Sequence, residues 1–99
     1  MNKTQILLIF PENMRKVKSV KLTNGVEVIA TLLAAEDDYI NLGEPRVVVI
    51  NDDELALIPY IFTGSSEEVV VRFTEVQAIV DTLEQSAKDY ESIIEGKED

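Results

Sequence analysis

The sequence predicts a mainly β protein, a bent antiparallel meander closed into a small barrel and followed by one C-terminal helix. Three observations carry that expectation. Residues 17–42, VKSVKLTNGVEVIATLLAAEDDYINL, contain two runs with apolar residues at alternate positions that meet at Asn24-Gly25. Alternation is the period of a half-buried strand, and an Asn-Gly pair between two such runs marks a hairpin. Further short apolar runs follow, each bounded by turn residues, and only after Asp81 does the spacing become helical.

The elements can be justified in order. Residues 5–10, QILLIF, fit either a short strand or one helical turn, and Pro11 ends them because the residue before a proline avoids the α region. Their expected role is to cover an edge of the barrel or a neighbouring subunit. The first strand runs from Val17 to about Thr23, and a two-residue type I′ turn is expected at Asn24-Gly25. The second strand, Val26 to Ala35, puts Val26, Val28, Ala30 and Leu32 on one face and Glu27, Ile29, Thr31 and Leu33 on the other. The second face is only half polar, so part of it should be covered. After the acidic break Glu36-Asp37-Asp38, a third strand runs from Tyr39 to about Ile50, interrupted by Gly43-Glu44-Pro45. A proline there implies an edge position or a bulge.

Asn51-Asp52-Asp53-Glu54 reads as a turn, and Leu55 to Phe62 as an apolar segment broken by Pro59. Thr63-Gly64-Ser65-Ser66 is a second turn. Strands are expected at 67–73 and 76–80, joined tightly by Thr74-Glu75. Thr82-Leu83-Glu84-Gln85 matches a capping box with Thr82 as N-cap. Leu83, Ala87, Tyr90 and Ile94 then fall on one helical face, opposite Glu84, Lys88, Asp89, Glu91 and Glu95, and Gly96 stands where a C-terminal cap belongs. The expected organisation is an arm (1–16), a barrel (17–81), a helix (82–96) and a tail (97–99).

Ninety-nine residues bound this to one core. The absence of cysteine removes disulfide and thiolate chemistry and fits a reducing compartment, and the absence of histidine removes the usual general base. The apolar stretch Ile6–Phe10 is too short for a signal sequence, and no run approaches a membrane span, so a soluble, cytoplasmic protein with no membrane partner is expected. The net charge of −10 is uneven: residues 1–21 carry +4, residues 22–80 carry −9 and residues 81–99 carry −5. An acidic body repels phosphate at long range and argues against non-specific nucleic-acid binding.

Several clusters are better read as structure than as chemistry. Asp52-Asp53-Glu54 lacks calcium-loop spacing, and its adjacent carboxylates point different ways. Asp37-Asp38 fails as a metal or acid–base pair on the same ground. Ser65 and Ser66 have no histidine to activate them. Arg15, Lys16, Lys18 and Lys21 form the one basic patch, without interleaved aromatics, and are expected to face acids on the same or a neighbouring subunit. No catalytic constellation, metal site or cofactor site emerges, and the chain is read as non-enzymatic.

Leu22 to Leu42 resembles the first motif of the Sm and Sm-like proteins, a turn glycine and alternating strand followed by Asp-x-aromatic-Met-Asn. Here these are Gly25 and then Asp37-Asp38-Tyr39-Ile40-Asn41. Val69-Val70-Val71-Arg72 followed by Val76 to Val80 looks like the second motif. The chain departs from the pattern by one extra residue before Asp37, by Ala30 near a bending glycine, by Phe73 in place of a glycine, and by a helix after rather than before the strands. Asn-Leu-Gly-Glu-Pro, Ile-Pro-Tyr and the terminal helix look closest to the small Sm-like proteins of large tailed phages.

The resemblance implies a five-stranded bent antiparallel barrel that assembles into homo-oligomeric rings, the 67–73 strand of one subunit pairing with the 76–80 strand of the next. The interface would then include Val69, Val70, Val71, Val76, Ala78 and Val80. It also implies a base pocket for single-stranded RNA, with Tyr39 and Arg72 sandwiching a base, Asn41 bonding its edge and Asp37 orienting Asn41. Phe73 and the acids Glu36, Asp37, Asp38 and Glu75 near the pocket oppose this. The other function open to the chain is a protein-interaction or assembly module that keeps the ring, has lost RNA binding and takes another protein as partner.

Overall fold

The computed structural model describes residues 16–61, 63, 64 and 67–96. Six strands and one helix follow in order: β1 (Val17–Leu22), β2 (Glu27–Ala35), β3 (Tyr39–Asn51), β4 (Glu54–Pro59), β5 (Glu68–Arg72), β6 (Val76–Asp81) and α1 (Glu84–Gly96). A short 3₁₀ turn, Phe73–Glu75, joins β5 to β6. All pairings are antiparallel, and the sheet runs β4-β3-β2-β1-β6 with β5 also on β3. The expectations for residues 1–15 and 97–99, and for Phe62, Ser65 and Ser66, lie outside the described residues.

The β1–β2 connection differs from its expected form. Gly25 donates to the Leu22 carbonyl at 2.9 Å, Leu22 donates to the Val26 carbonyl at 2.8 Å, and Gly25 alone has positive φ (93°). The loop is therefore Thr23-Asn24-Gly25, a three-residue turn with its left-handed residue last, not a two-residue type I′ turn. Asn24 accepts from the Val26 N–H at 3.0 Å through Oδ1, an Asx contact that keeps Asn24 itself out of the left-handed region. The type I′ pattern occurs instead at the β3–β4 hairpin, where Asp52 and Asp53 sit at φ 54° and 69° between the paired Asn51 and Glu54. Gly25→Ala is expected to cost about 1–2 kcal/mol, the penalty of a β-carbon in the left-handed region. Urea denaturation of the two chains measures it.

β3 is the strand on which the sheet turns. Its first part pairs with β5, from Tyr39 opposite Arg72 to Gly43 opposite Glu68, and its second part pairs with β4, from Arg46 opposite Pro59 to Asn51 opposite Glu54. Between them Glu44 and Pro45 lie opposite Ala30 alone, because Thr31 pairs with Gly43 and Ile29 with Arg46. Two residues against one make a bulge, which bends the strand and sharpens its twist. The proline expected at an edge or bulge sits at the bulge, and Glu44 takes φ 48° there.

Six strands form where five were expected, and at the bulge β3 hands its edge from β5 to β4. The sheet also stays open. Among the described residues β5 pairs only with β3 and β6 only with β1, so no ladder closes the barrel.

The bent sheet has two apolar faces. Val20, Leu22, Val28, Ala30, Ile40, Leu42 and Val71 pack together on the inner face. On the outer face Val17 and Ile29 lie under Ala87 and Tyr90 of α1, with Val48, Leu57 and Ile94 around them. The half-polar face of β2 is thus covered at Ile29, while Leu33 beyond the helix remains 51% exposed. The helix begins at Glu84, one residue later than the capping box placed it, and the Thr82 hydroxyl bonds Ser19 Oγ at 2.9 Å. Of its expected apolar face, Ala87 and Tyr90 are buried, Ile94 is half-buried and Leu83 is 79% exposed.

Two residues of the basic patch lie against acids of their own subunit: Lys18 bonds Asp81, and Lys21 lies 3.9 Å from Glu27. No described helix is long and apolar enough to cross a membrane.

Candidate nucleic-acid interface

The pairing of β3 with β5 sets the candidate site. Tyr39 and Arg72 are direct cross-strand partners, so their side chains leave the same face of the sheet. Beyond Arg72 the chain turns into the 3₁₀ turn, which brings Phe73 and Thr74 round the same opening, and the Phe73 N–H donates to the Asp38 carbonyl at 2.9 Å. The result is an open pocket of about 700 Å³ lined by Asp37, Asp38, Tyr39, Val70, Arg72, Phe73 and Thr74. Tyr39 and Phe73 are both partly exposed at its wall. The guanidinium of Arg72 makes no ion pair among the described residues.

Three of the four residues expected at a base site, Asp37, Tyr39 and Arg72, are therefore brought together, and the fourth is held apart. Asn41 lies two residues along the same face, and its Nδ2 donates to Glu68 at 2.6 Å rather than to Asp37. Its Oδ1 is buried and accepts no hydrogen bond within the described residues. Strand alternation accounts for Glu68: positions 72, 70 and 68 share a face, so a carboxylate at 68 comes beside Asn41. That signal was present in the sequence and was missed, as was Thr74. Of the four acids expected around the opening, Asp37 and Asp38 line it. Glu75 instead accepts from the Thr23 hydroxyl at 3.1 Å.

No family model matches the chain, and no curated protein gives a match. The chemistry of the site must be taken from its own atoms. A phenol ring, a phenyl ring and an unpaired guanidinium offer flat faces on which a nucleobase stacks. Two carboxylates at the rim oppose a phosphate and suit an exocyclic amine or a cationic side chain. Among the described residues, no group of histidine, cysteine or carboxylate side chains has the geometry to hold a metal ion.

The residues expected at a subunit interface divide by face. Val71 is buried at 8% exposure, Val69 is half-buried on the inner core and Val76 packs against that core, so these three serve the subunit itself. Val70 at 60%, Val80 at 59% and the exposed Ala78 are the positions a second molecule could reach.

Proposed function

We propose that this chain is a Sm-like protein that assembles edge to edge into a homo-oligomeric ring and binds single-stranded RNA, one base to each subunit's pocket. The register that pairs Tyr39 with Arg72 carries the reading, because it holds an aromatic ring and an unpaired guanidinium on one wall of an open pocket. The bent sheet supports the same reading. Its inner face already encloses a core, and β5 and β6 each keep an outer edge with no strand upon it among the described residues. Unguarded edges of this kind invite another strand. A ring repeats the pocket, and avidity then strengthens a weak single contact.

Tyr39→Ala is expected to weaken binding of short uridine- or adenine-rich strands by about 1–3 kcal/mol per stacked base, while leaving the assembly intact. Fluorescence anisotropy at several salt concentrations measures the first effect and native mass spectrometry with and without the strand the second. No retention of RNA by the unaltered chain at low salt removes this function.

A second reading, an assembly or protein-interaction module without RNA, is favoured by one set of contacts. Asp37 and Asp38 line the pocket, and Glu68 holds the Asn41 amide that a base edge would need. On that reading the ring forms, RNA is ignored and the pocket takes a cationic side chain of a partner protein.

A further inference from the structure

The outer face of the sheet is only partly covered by α1, and what remains is a groove. It crosses the strands beside the helix and is lined by Ser19, Ile29, Val48, Leu55, Leu83 and Ser86, with Val80 at its margin. Ile50 lies directly opposite Leu55 in the β3–β4 register and continues the apolar strip. Its residues are conspicuous in an acidic chain, since Leu83 is 79% and Ile50 73% exposed. Exposed apolar groups clustered on one face mark a surface that something covers.

We infer that the groove is the docking site of the chain's own N-terminal segment, residues 5–10. Three observations select this occupant. The segment joins the fold next to the groove: the Val17 carbonyl accepts from the Thr82 N–H at 3.4 Å, and Thr82 is part of the groove wall. Five residues lie between Phe10 and Lys16, a tether of about 20 Å when extended, and the three strand spacings from β1 to β4 take about 14 Å. QILLIF is the one apolar run outside the described fold, and the arm that carries it has Lys3, Arg15 and Lys16 against a single acid. The groove wall also carries Glu27 and Asp81, but these already pair with Lys21 and Lys18, so the apolar run and not the charge selects the segment. Docking there lays the arm beside α1 on the outer face, apart from the Tyr39 pocket though close to Val80 on β6, so it stands apart from the proposed RNA site.

The chain has no tryptophan, which makes a probe simple. Phe10→Trp in the full chain is expected to emit at blue wavelengths, to resist acrylamide quenching and to do so independently of protein concentration. Adding Leu83→Asp and Leu55→Asp, both at exposed positions, is expected to shift the emission to the red and open the probe to quencher while the circular dichroism spectrum stays unchanged. A solvent-like spectrum in the first chain, or no red shift in the second, overturns the proposal. A large excess of unlabelled chain bearing the two aspartates separates the remaining occupant. Unchanged blue emission supports docking within one chain, whereas a red shift shows the arm seated on a second copy and overturns it.

Discussion

Tyr90→Phe is expected to lower the unfolding free energy by about 2–4 kcal/mol, since each buried group left unpaired costs about 1–3 kcal/mol. The phenol serves the β3 kink. Its hydroxyl donates toward the Gly43 and Glu44 carbonyls at 2.9 and 3.0 Å, and it accepts from the Thr31 N–H at 3.1 Å, with the Thr31 hydroxyl at the same distance. These are backbone groups beside the bulge, where Thr31 lies opposite Gly43 and the next two residues of β3 face Ala30 alone. Phenylalanine keeps the ring and removes only those bonds. Tyr90→Ala adds a cavity and is expected to cost about 3–5 kcal/mol or more. Equilibrium urea unfolding distinguishes the two, and a loss below about 0.5 kcal/mol for Tyr90→Phe, the scale of an ordinary surface change, rules out the hydroxyl as the support of the kink.

The same hydroxyl gives the stability a pH dependence. Burial is the main cause that raises the Tyr90 pKa above its usual value of 10.0, with hydrogen bonds from Thr31 pulling the other way. The unfolded chain therefore loses this proton first as pH rises, and the folded state binds more protons in that window. Stability contributed by Tyr90 is complete below pH 10 and is lost as pH climbs toward the raised folded value. In Tyr90→Phe that part of the alkaline loss should vanish.

Much of this architecture was legible because burial on one face writes a period into the chain. Val26, Val28, Ala30 and Leu32 announced the inner face of β2, and Ile29 among polar neighbours announced a cover on the other. Ala87 and Tyr90 at helical spacing supplied the cover. What the sequence hid depends on partners rather than on period. Nothing in YINLGEPRVVVIN states that its edge passes from one strand to another at Glu44-Pro45, since a bulge and a simple bend place the same residues inside. Asn24-Gly25 matched the commonest hairpin signal, yet Asn24 found a side-chain contact to Val26 that settled a different loop. The candidate site was half legible for the same reason: Tyr39 and Arg72 were named from the resemblance to the Sm-like motifs, while the grip of Glu68 on Asn41 follows only from the register.

Val70→Glu and Ala78→Glu are each expected to reduce the proposed ring to monomers, and an equal mixture of the two is expected to give dimers. Val70 stands on β5 and Ala78 on β6, both side chains are exposed, and each strand has a partner on one side only among the described residues. A head-to-tail contact uses two different edges, so each chain needs both to continue a ring. A glutamate on β5 adds to Glu67 and Glu68, and one on β6 would face that acidic edge across the contact. Within the subunit the change at 78 is benign, because Lys21 lies opposite Ala78 in the ladder and welcomes a carboxylate there. The Val70→Glu chain keeps a sound β6 edge and the Ala78→Glu chain a sound β5 edge. One contact between them therefore forms and the second, with a charge on each side, does not. Sedimentation velocity reads the three cases directly. Rings that survive either substitution place the contact elsewhere, and a mixture that stays monomeric excludes β5-to-β6 pairing even if both single variants fall apart.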